Sequence, residues 1–501
     1  MTKKNLIAIL FIIFSSYGFA RYDYNINCKK AYQSIVSLRF SEGKRILEAE
    51  KIKDPGNDIP YYIENYIDYL TLFIGENESD LVRLEGNKDK RISRLEKGDQ
   101  KSPYYLYCLG EIYLQWGLAK IKFHEYVKAV VCINKAYNCF TKNQKLFPDF
   151  VLNKKSMGLF HSIIGSIPDE YKWVVKLLGF KGSMKQGLEE LVWMKDYAKK
   201  NKEYNFLRTE SLFYLAIIQL KITNDDVNKL RMLDLDFEDM FASREVVSPL
   251  LYYSRANLLL RLNQNDKVLN MLLKRPMGSE YYPFYYLDYL TGLTKLNKLE
   301  NDCGIYFVRY INGFKGKSYI QASWQKLAWI CLLENNKAKY KEMINNVKKI
   351  DGSLIDEDKQ ALKEAESDEI PNSYLLKARL LCDGGYFSKA LSILILKNAT
   401  DSYTSSRDRL EFTYRLARIY HLMNDLNKAI SYYEMTLKNG ENKPYYFAAN
   451  SSLQLGNIYE TKGNIEKARY YYQKCLNIKG HEYKNSIDQK AKSGLNRINK
   501  N

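Results

Sequence analysis

LARIYHLMNDLNKAISYY at residues 416–433 and LGNIYETKGNIEKARYYY at residues 455–472 align along their whole length at an offset of 39 residues. In each, Leu416-Ala417 or Leu455-Gly456 stands just ahead of Tyr420 or Tyr459, putting apolar residues on one face of a helix. A polar turn follows, Asn424-Asp425 or Lys462-Gly463-Asn464. Then Ala429 or Ala468 precedes Tyr433 or Tyr472 by one helical turn. A small residue on each helix lets the two axes cross closely, and the large residues fill the gap to the next pair. An earlier copy carries Ala378, Leu381, Ala390 and Leu394, so the second-helix alanines 390, 429 and 468 recur every 39 residues. The spacing predicts three stacked antiparallel helix pairs over residues 371–480.

This pattern resembles the tetratricopeptide repeat, and the resemblance implies an all-α, TPR-like α-solenoid that binds protein. The period exceeds the ~34 residues usual for that repeat. The surplus fits the loop between pairs, where Asn439-Gly440 and Lys443-Pro444 lie. Looser copies run through residues 206–370: Trp324, Leu327, Ala328, Cys331 and Tyr340; Leu287, Leu290, Cys303 and Phe307; Ala256, Leu259, Val268 and Leu272. The acidic stretch Asp351 to Glu369 reads as an insertion and a boundary. Residues 481–501 read as a lysine-rich amphipathic helix capping the exposed end of the array.

Residues 21–205 are helical in pattern but less repetitive. Leu109-Gly110 and Tyr113 suggest a first helix, and Trp116 to Phe147 one or two long ones. Glycines 158, 165, 179, 182 and 187 then permit close approaches, and Pro168 should break a helix. Lys135-Ala136-Tyr137, Gly158-Leu159-Phe160, Ser166 with Pro168, and Leu177-Leu178-Gly179-Phe180 carry a second resemblance over residues 104–195. They are similar to the eukaryotic tetratricopeptide family that includes the yeast inclusion-body-clearance protein Iml (TPR-39 type). That likeness implies a non-enzymatic repeat protein tied to membrane-associated housekeeping, with no catalytic residues to transfer. Composition, leader and repeats together resemble the tetratricopeptide proteins of Bacteroidota-type bacteria.

The first 20 residues have the layout of a secretory leader: Lys3 and Lys4, the apolar run Leu6 to Phe14, and Gly18-Phe19-Ala20 before a cut. The run falls short of the ~20 residues that span a bilayer, so export, most simply to the periplasm, is expected. The eight cysteines form no C-x-x-C pair and read as buried free thiols. Formal charge is +19, spread along the chain. In an exported protein it points away from nucleic acid and leaves solubility, acidic partners or an anionic membrane surface as its uses. The 43 tyrosines suit helix interfaces with a wet edge, although AT-rich coding would also raise their number.

No H-E-x-x-H, paired-cysteine metal signature, G-x-S-x-G or phosphate loop is present, and the four histidines are far apart. We therefore expect no enzyme, no metal and no cofactor. In such arrays the first helix of each pair lines the inner groove. Its outward positions here are Arg379, Tyr414, Arg415, Arg418, His421, Gln454 and Asn457. Three arginines on one groove are suited to gripping carboxylates of an acidic protein or peptide; the alternative is an ordinary solvated helix face. Glycan capture and membrane-surface association are the other readings of an exported helical array.

Overall fold

The structure, a computed structural model, describes residues 22–167, 172–222, 227–242, 248–351, 355–367 and 369–499. The expected leader and Pro168 lie outside them. Among the described residues there are α-helices and short 3-10 turns but no β-strand. The chain divides into two compact units. One lies within Met1–Leu262, Lys267–Leu290 and Arg309–Lys317, the other within Asn263–Asp266, Thr291–Val308 and Ser318–Asn501.

In the first unit the helices are α1 (Ile26–Val36), α2 (Phe40–Lys53), α3 (Ile59–Gly75), α4 (Glu78–Leu95), α5 (Pro103–Lys122) and α6 (Tyr126–Leu146). These are followed by α7 (Leu152–Gly165), α8 (Lys172–Leu177), α9 (Met184–Lys200), α10 (Arg208–Ile222), α11 (Val227–Ala242) and α12 (Pro249–Arg261). Consecutive helices pair, as α1 with α2 and α5 with α6. Gly110 explains the tightness of the second pair: a Cβ there would stand 2.6 Å from the ring of Phe140. The expected long helical stretch from Trp116 to Phe147 breaks once, at His124, whose φ of 61° turns the chain back.

The core of this unit holds charge. Lys155, wholly buried, donates to Glu210 Oε2 at 2.7 Å, Glu111 Oε2 at 3.0 Å and the Tyr66 hydroxyl at 2.9 Å. Tyr66 in turn donates to Glu111 at 2.7 Å, Tyr214 donates to Glu210 at 2.8 Å, and Tyr32 and Ser156 also donate to these carboxylates. Burial alone would pull the Lys155 ammonium down, but the two carboxylates outweigh it and hold its pKa well above the ordinary value. Tyr32, Tyr66 and Tyr214 are used here, each ring packed in the core and each hydroxyl given a polar partner.

The chain alternates between the units along α13 (Asn265–Leu272), α14 (Tyr286–Asn297) and α15 (Gly304–Gly313). The second unit then runs through α16 (Ile320–Leu333), α17 (Lys337–Val347), α18 (Asp356–Glu366), α19 (Ser373–Asp383), α20 (Phe387–Leu394) and α21 (Lys397–Ser402). It finishes with α22 (Ser406–Leu422), α23 (Leu426–Gly440), α24 (Phe447–Thr461), α25 (Ile465–Asn477) and α26 (Lys484–Ile498). Pairs α16–α17, α19–α20, α22–α23 and α24–α25 pack as antiparallel hairpins, and neighbouring pairs stack. The fold is all-α, a solenoid-type succession of helix pairs, as the 39-residue spacing predicts.

The seam between paired helices is made by the residues that define the repeat. Ala390, Ala429, Ala468 and Tyr472 are fully buried. A Cβ on Gly456 would meet Tyr472 at 2.5 Å, so only glycine allows that crossing. The hairpin turn also repeats: Gly385, Asn424 and Gly463 all take left-handed backbone, with φ of 84°, 63° and 74°. The next amide then reaches back to the first helix, Tyr386 to Leu381 at 2.8 Å, Asp425 to Tyr420 and Asn464 to Tyr459 at 2.9 Å. Asp425 and Asn464 go on to cap the second helix through Lys428 and Lys467 N–H. Leu299 and Asn335 take the same left-handed turn in the looser copies.

The acidic stretch contributes α18, packed against α16. Its buried Asp358 accepts from the Tyr319 N–H at 2.7 Å and the Ala322 N–H at 2.8 Å, capping α16 from outside. At the C-terminus α26 covers the last pair. Arg497 bonds Glu460 at 2.9 and 2.8 Å, and Gly494 sits against the Tyr472 ring.

Candidate functional site

The first helix of each pair in the second unit turns one flank towards a common hollow of about 1110 Å³. Gln325 and Trp329 of α16 and Lys363 and Glu364 of α18 line it, with Arg379 of α19, Arg407, Glu411 and Arg415 of α22, and Asn450 of α24. Two loops complete the wall, 369–372 and 444–446, together with the segment 482–487 leading into α26.

At one end Trp329 lies between cations, with Lys326 Nζ 3.9 Å and the Arg379 guanidinium 5.0 Å from its ring centre. Glu364 accepts from Trp329 Nε1 at 2.8 Å, Gln325 at 2.7 Å and the Tyr340 hydroxyl at 3.0 Å, which fixes the indole. Lys326 is buried, and burial together with the Arg379 charge lowers its ammonium to about 7, against the opposing pull of Glu364, Glu357 and Asp358. Along the far wall Arg407 meets Glu369 at 2.9 Å and stacks 5.5 Å over Tyr445. Lys363 reaches Glu482 at 3.4 Å and lies over the Tyr483 ring.

Of the residues expected on the groove, Arg379 and Arg415 line the hollow, while Tyr414, Arg418, His421, Gln454 and Asn457 lie outside its lining. Arg415 corrects the expectation of an outward cation. Only 3% exposed, it is paired with its own helix through Glu411, at 3.0 Å from Nε and 2.7 Å from Nη2. Spacing put it on the inner face, but the neighbouring helices close over it. Tyr414 is likewise buried, its hydroxyl accepting from Asn450 at 2.8 Å. Arg418 and Arg379 converge on one carboxylate, Asp383, at 2.8 Å and 3.8 Å. Burial would raise the acids of Asp383 and Glu411, but the arginines beside them prevail and hold both low.

His421 sits by the Tyr433 hydroxyl at 3.4 Å, and burial lowers its pKa, so at neutral pH it carries no charge to a partner. Asn457 accepts from Tyr472 at 2.8 Å, and Gln454 donates to Asn450 at 3.4 Å. The sequence reading missed Trp329, Lys363, Arg407, Tyr445 and Tyr483. The prolines at 371 and 444 mark their loops but say nothing of which loops converge. Among the described residues no group of histidine, cysteine or acidic side chains is arranged to hold a metal, and no helix is long and apolar enough to cross a membrane. All eight cysteines are free, six of them buried.

Residues 408–480 match the tetratricopeptide repeat family model, which covers the two pairs whose sequence is most regular. Among solved structures, the chain is similar to the APC/C hetero-tetramer Cut9-Hcn1, at 13% identity and a TM-score of 0.27 over 91% of this chain and 86% of that one. It is also similar to yeast Tom70, at 14% identity and a TM-score of 0.23 over 86% of this chain and 97% of that one. At such TM-scores neither likeness bears on shape or activity. No curated protein matches the chain.

Proposed function

We propose that this protein is an exported, non-enzymatic tetratricopeptide scaffold that holds a protein or peptide partner in the hollow of its second unit. The observation that carries the reading is the hollow itself. Several stacked first helices supply one continuous wall, with the rings of Tyr445 and Tyr483 for apolar side chains and partly exposed guanidinium groups for carboxylates. An acidic segment suits it best. Arg379 and Arg407, each about one-third exposed, are the cations a partner carboxylate can reach, in exchange for Asp383 and Glu369.

The leader directs the chain out of the cytoplasm, with the periplasm as its destination; N-terminal sequencing of the mature protein is then expected to begin at Arg21. The partner assignment is tested by cross-linking in envelope fractions. Arg379→Ala with Arg407→Ala, both on accessible side chains, should lower recovery of the wild-type partner at least about tenfold, the scale of losing two charge-assisted contacts. Equal recovery by the double variant would remove the hollow from the binding surface.

A further inference from the structure

The first unit exposes apolar side chains and carries lysines both on α6 and around α8. Helix α8 packs inward through Val175 and leaves Trp173 63% and Leu177 75% exposed, one helical turn apart. The chain after it returns to the core, where Phe180 packs against Tyr137 of α6 and the Lys181 N–H donates to the Tyr137 hydroxyl at 3.0 Å. Helix α6 itself turns Val127, 82% exposed, and Val131 outward. Residues 126–146 hold Lys128, Lys135, Lys142 and Lys145 and no carboxylate; residues 172–188 hold Lys172, Lys176, Lys181 and Lys185 and again none. Of the bordering acids, Glu125 is taken by Lys120 and Lys128, each at 2.7 Å, and Glu189 lies 4.0 Å from Lys185. Asp149 follows α6, and Asp169 and Glu170 precede Lys172 outside the described residues.

We propose that this region of the first unit docks on an anionic phospholipid surface, with Trp173 and Leu177 entering the headgroup layer and the lysines of α6 and residues 172–188 meeting lipid phosphates. A protein partner would need a rigid pocket for an indole and a leucine projecting from a one-and-a-half-turn helix. A fluid interface needs none, and tryptophan is favoured at that depth. Long lysine stems reach past apolar neighbours to phosphates, so the two residue types act on the same surface. The assignment is independent of the hollow in the second unit and goes beyond partner capture there.

The test is sedimentation of the full chain with vesicles of phosphatidylcholine, alone or mixed with phosphatidylglycerol. The wild-type protein should pellet with the mixed vesicles at low salt and be released at high salt or from phosphatidylcholine alone. Lys176→Gln with Lys181→Gln should weaken binding about thirty-fold. Trp173→Ser with Leu177→Ser should weaken it at least about tenfold, whereas Trp173→Phe should retain most of it. Both substituted side chains face solvent, so the circular dichroism of the variants should match wild type. Failure of the wild-type chain to pellet, or equal pelleting by the Ser variant, overturns the proposal. So does binding to soluble polyglutamate with the same dependence on Trp173, which would reassign the region to an acidic protein.

Discussion

Two buried lysines show how the same residue type is held in opposite states. Lys155 faces two carboxylates and stays charged in the core. Removing it leaves Glu111 and Glu210 confronting each other without a counter-ion. Lys155→Ala should therefore cost about 3–5 kcal/mol, read as a drop in the denaturation midpoint. Lys326 faces Gln325 and an indole, with Arg379 adding repulsion and Glu364, Glu357 and Asp358 only partly offsetting it. Its folded-state value of about 7 lies below the unfolded value near 10.4. Between these two the unfolded chain binds more protons, so this lysine makes stability rise with pH across that window. Lys326→Met should accordingly stabilise most at pH 6, with the gain shrinking by pH 9; a gain that does not change with pH would show the group is charged throughout. The acids act in the same direction at lower pH. Asp383 and Glu411 have lowered values, so their contribution is full at neutral pH and is lost as the pH falls below about 4.

At the scale of elements, the hairpin turn decides whether a pair forms. A Cβ on Gly463 would find open space, so a substitution there reports backbone strain alone. Gly463→Ala should cost about 1–2 kcal/mol in denaturant titration, and Gly463→Asn less, since Asn424 serves at the equivalent place. These elements were legible because the signal is local. Leu455, Gly456, Tyr459, Ala468 and Tyr472 lie within 18 residues, and their spacing states which faces meet. The inner-face arginines were legible as to helix and phase but not as to exposure. Arg415 is buried and claimed by Glu411, neither of which helical phase reveals.

Over the whole chain, legibility fell with the distance between partners. Tyr32 and Glu210 are 178 residues apart, Lys155 and Glu210 are 55 apart, and no period relates them. The sequence of residues 21–205 reads as helical, but the charged core that Glu111 and Lys155 build with Glu210 is invisible in it. The hollow's far wall is likewise assembled from loops and a terminal segment that follow no repeat. Each unit has its own apolar core, so unfolding should not be a single two-state step. In calorimetry Lys155→Ala should shift one transition and Lys326→Met another; one transition moved equally by both would show the units melt together.

The left-handed positions 385, 424 and 463 set a quantum of length for this chain. Excising residues 386–424 would join Gly385 to Asp425, the residue that naturally follows such a position, and bring α19 directly before α23. Every alanine beyond the junction would keep its phase, whereas a cut of any other size would rotate the downstream helices off their seam. Growth or shrinkage of such a protein can thus proceed in whole steps of one hairpin, without inventing a new interface each time.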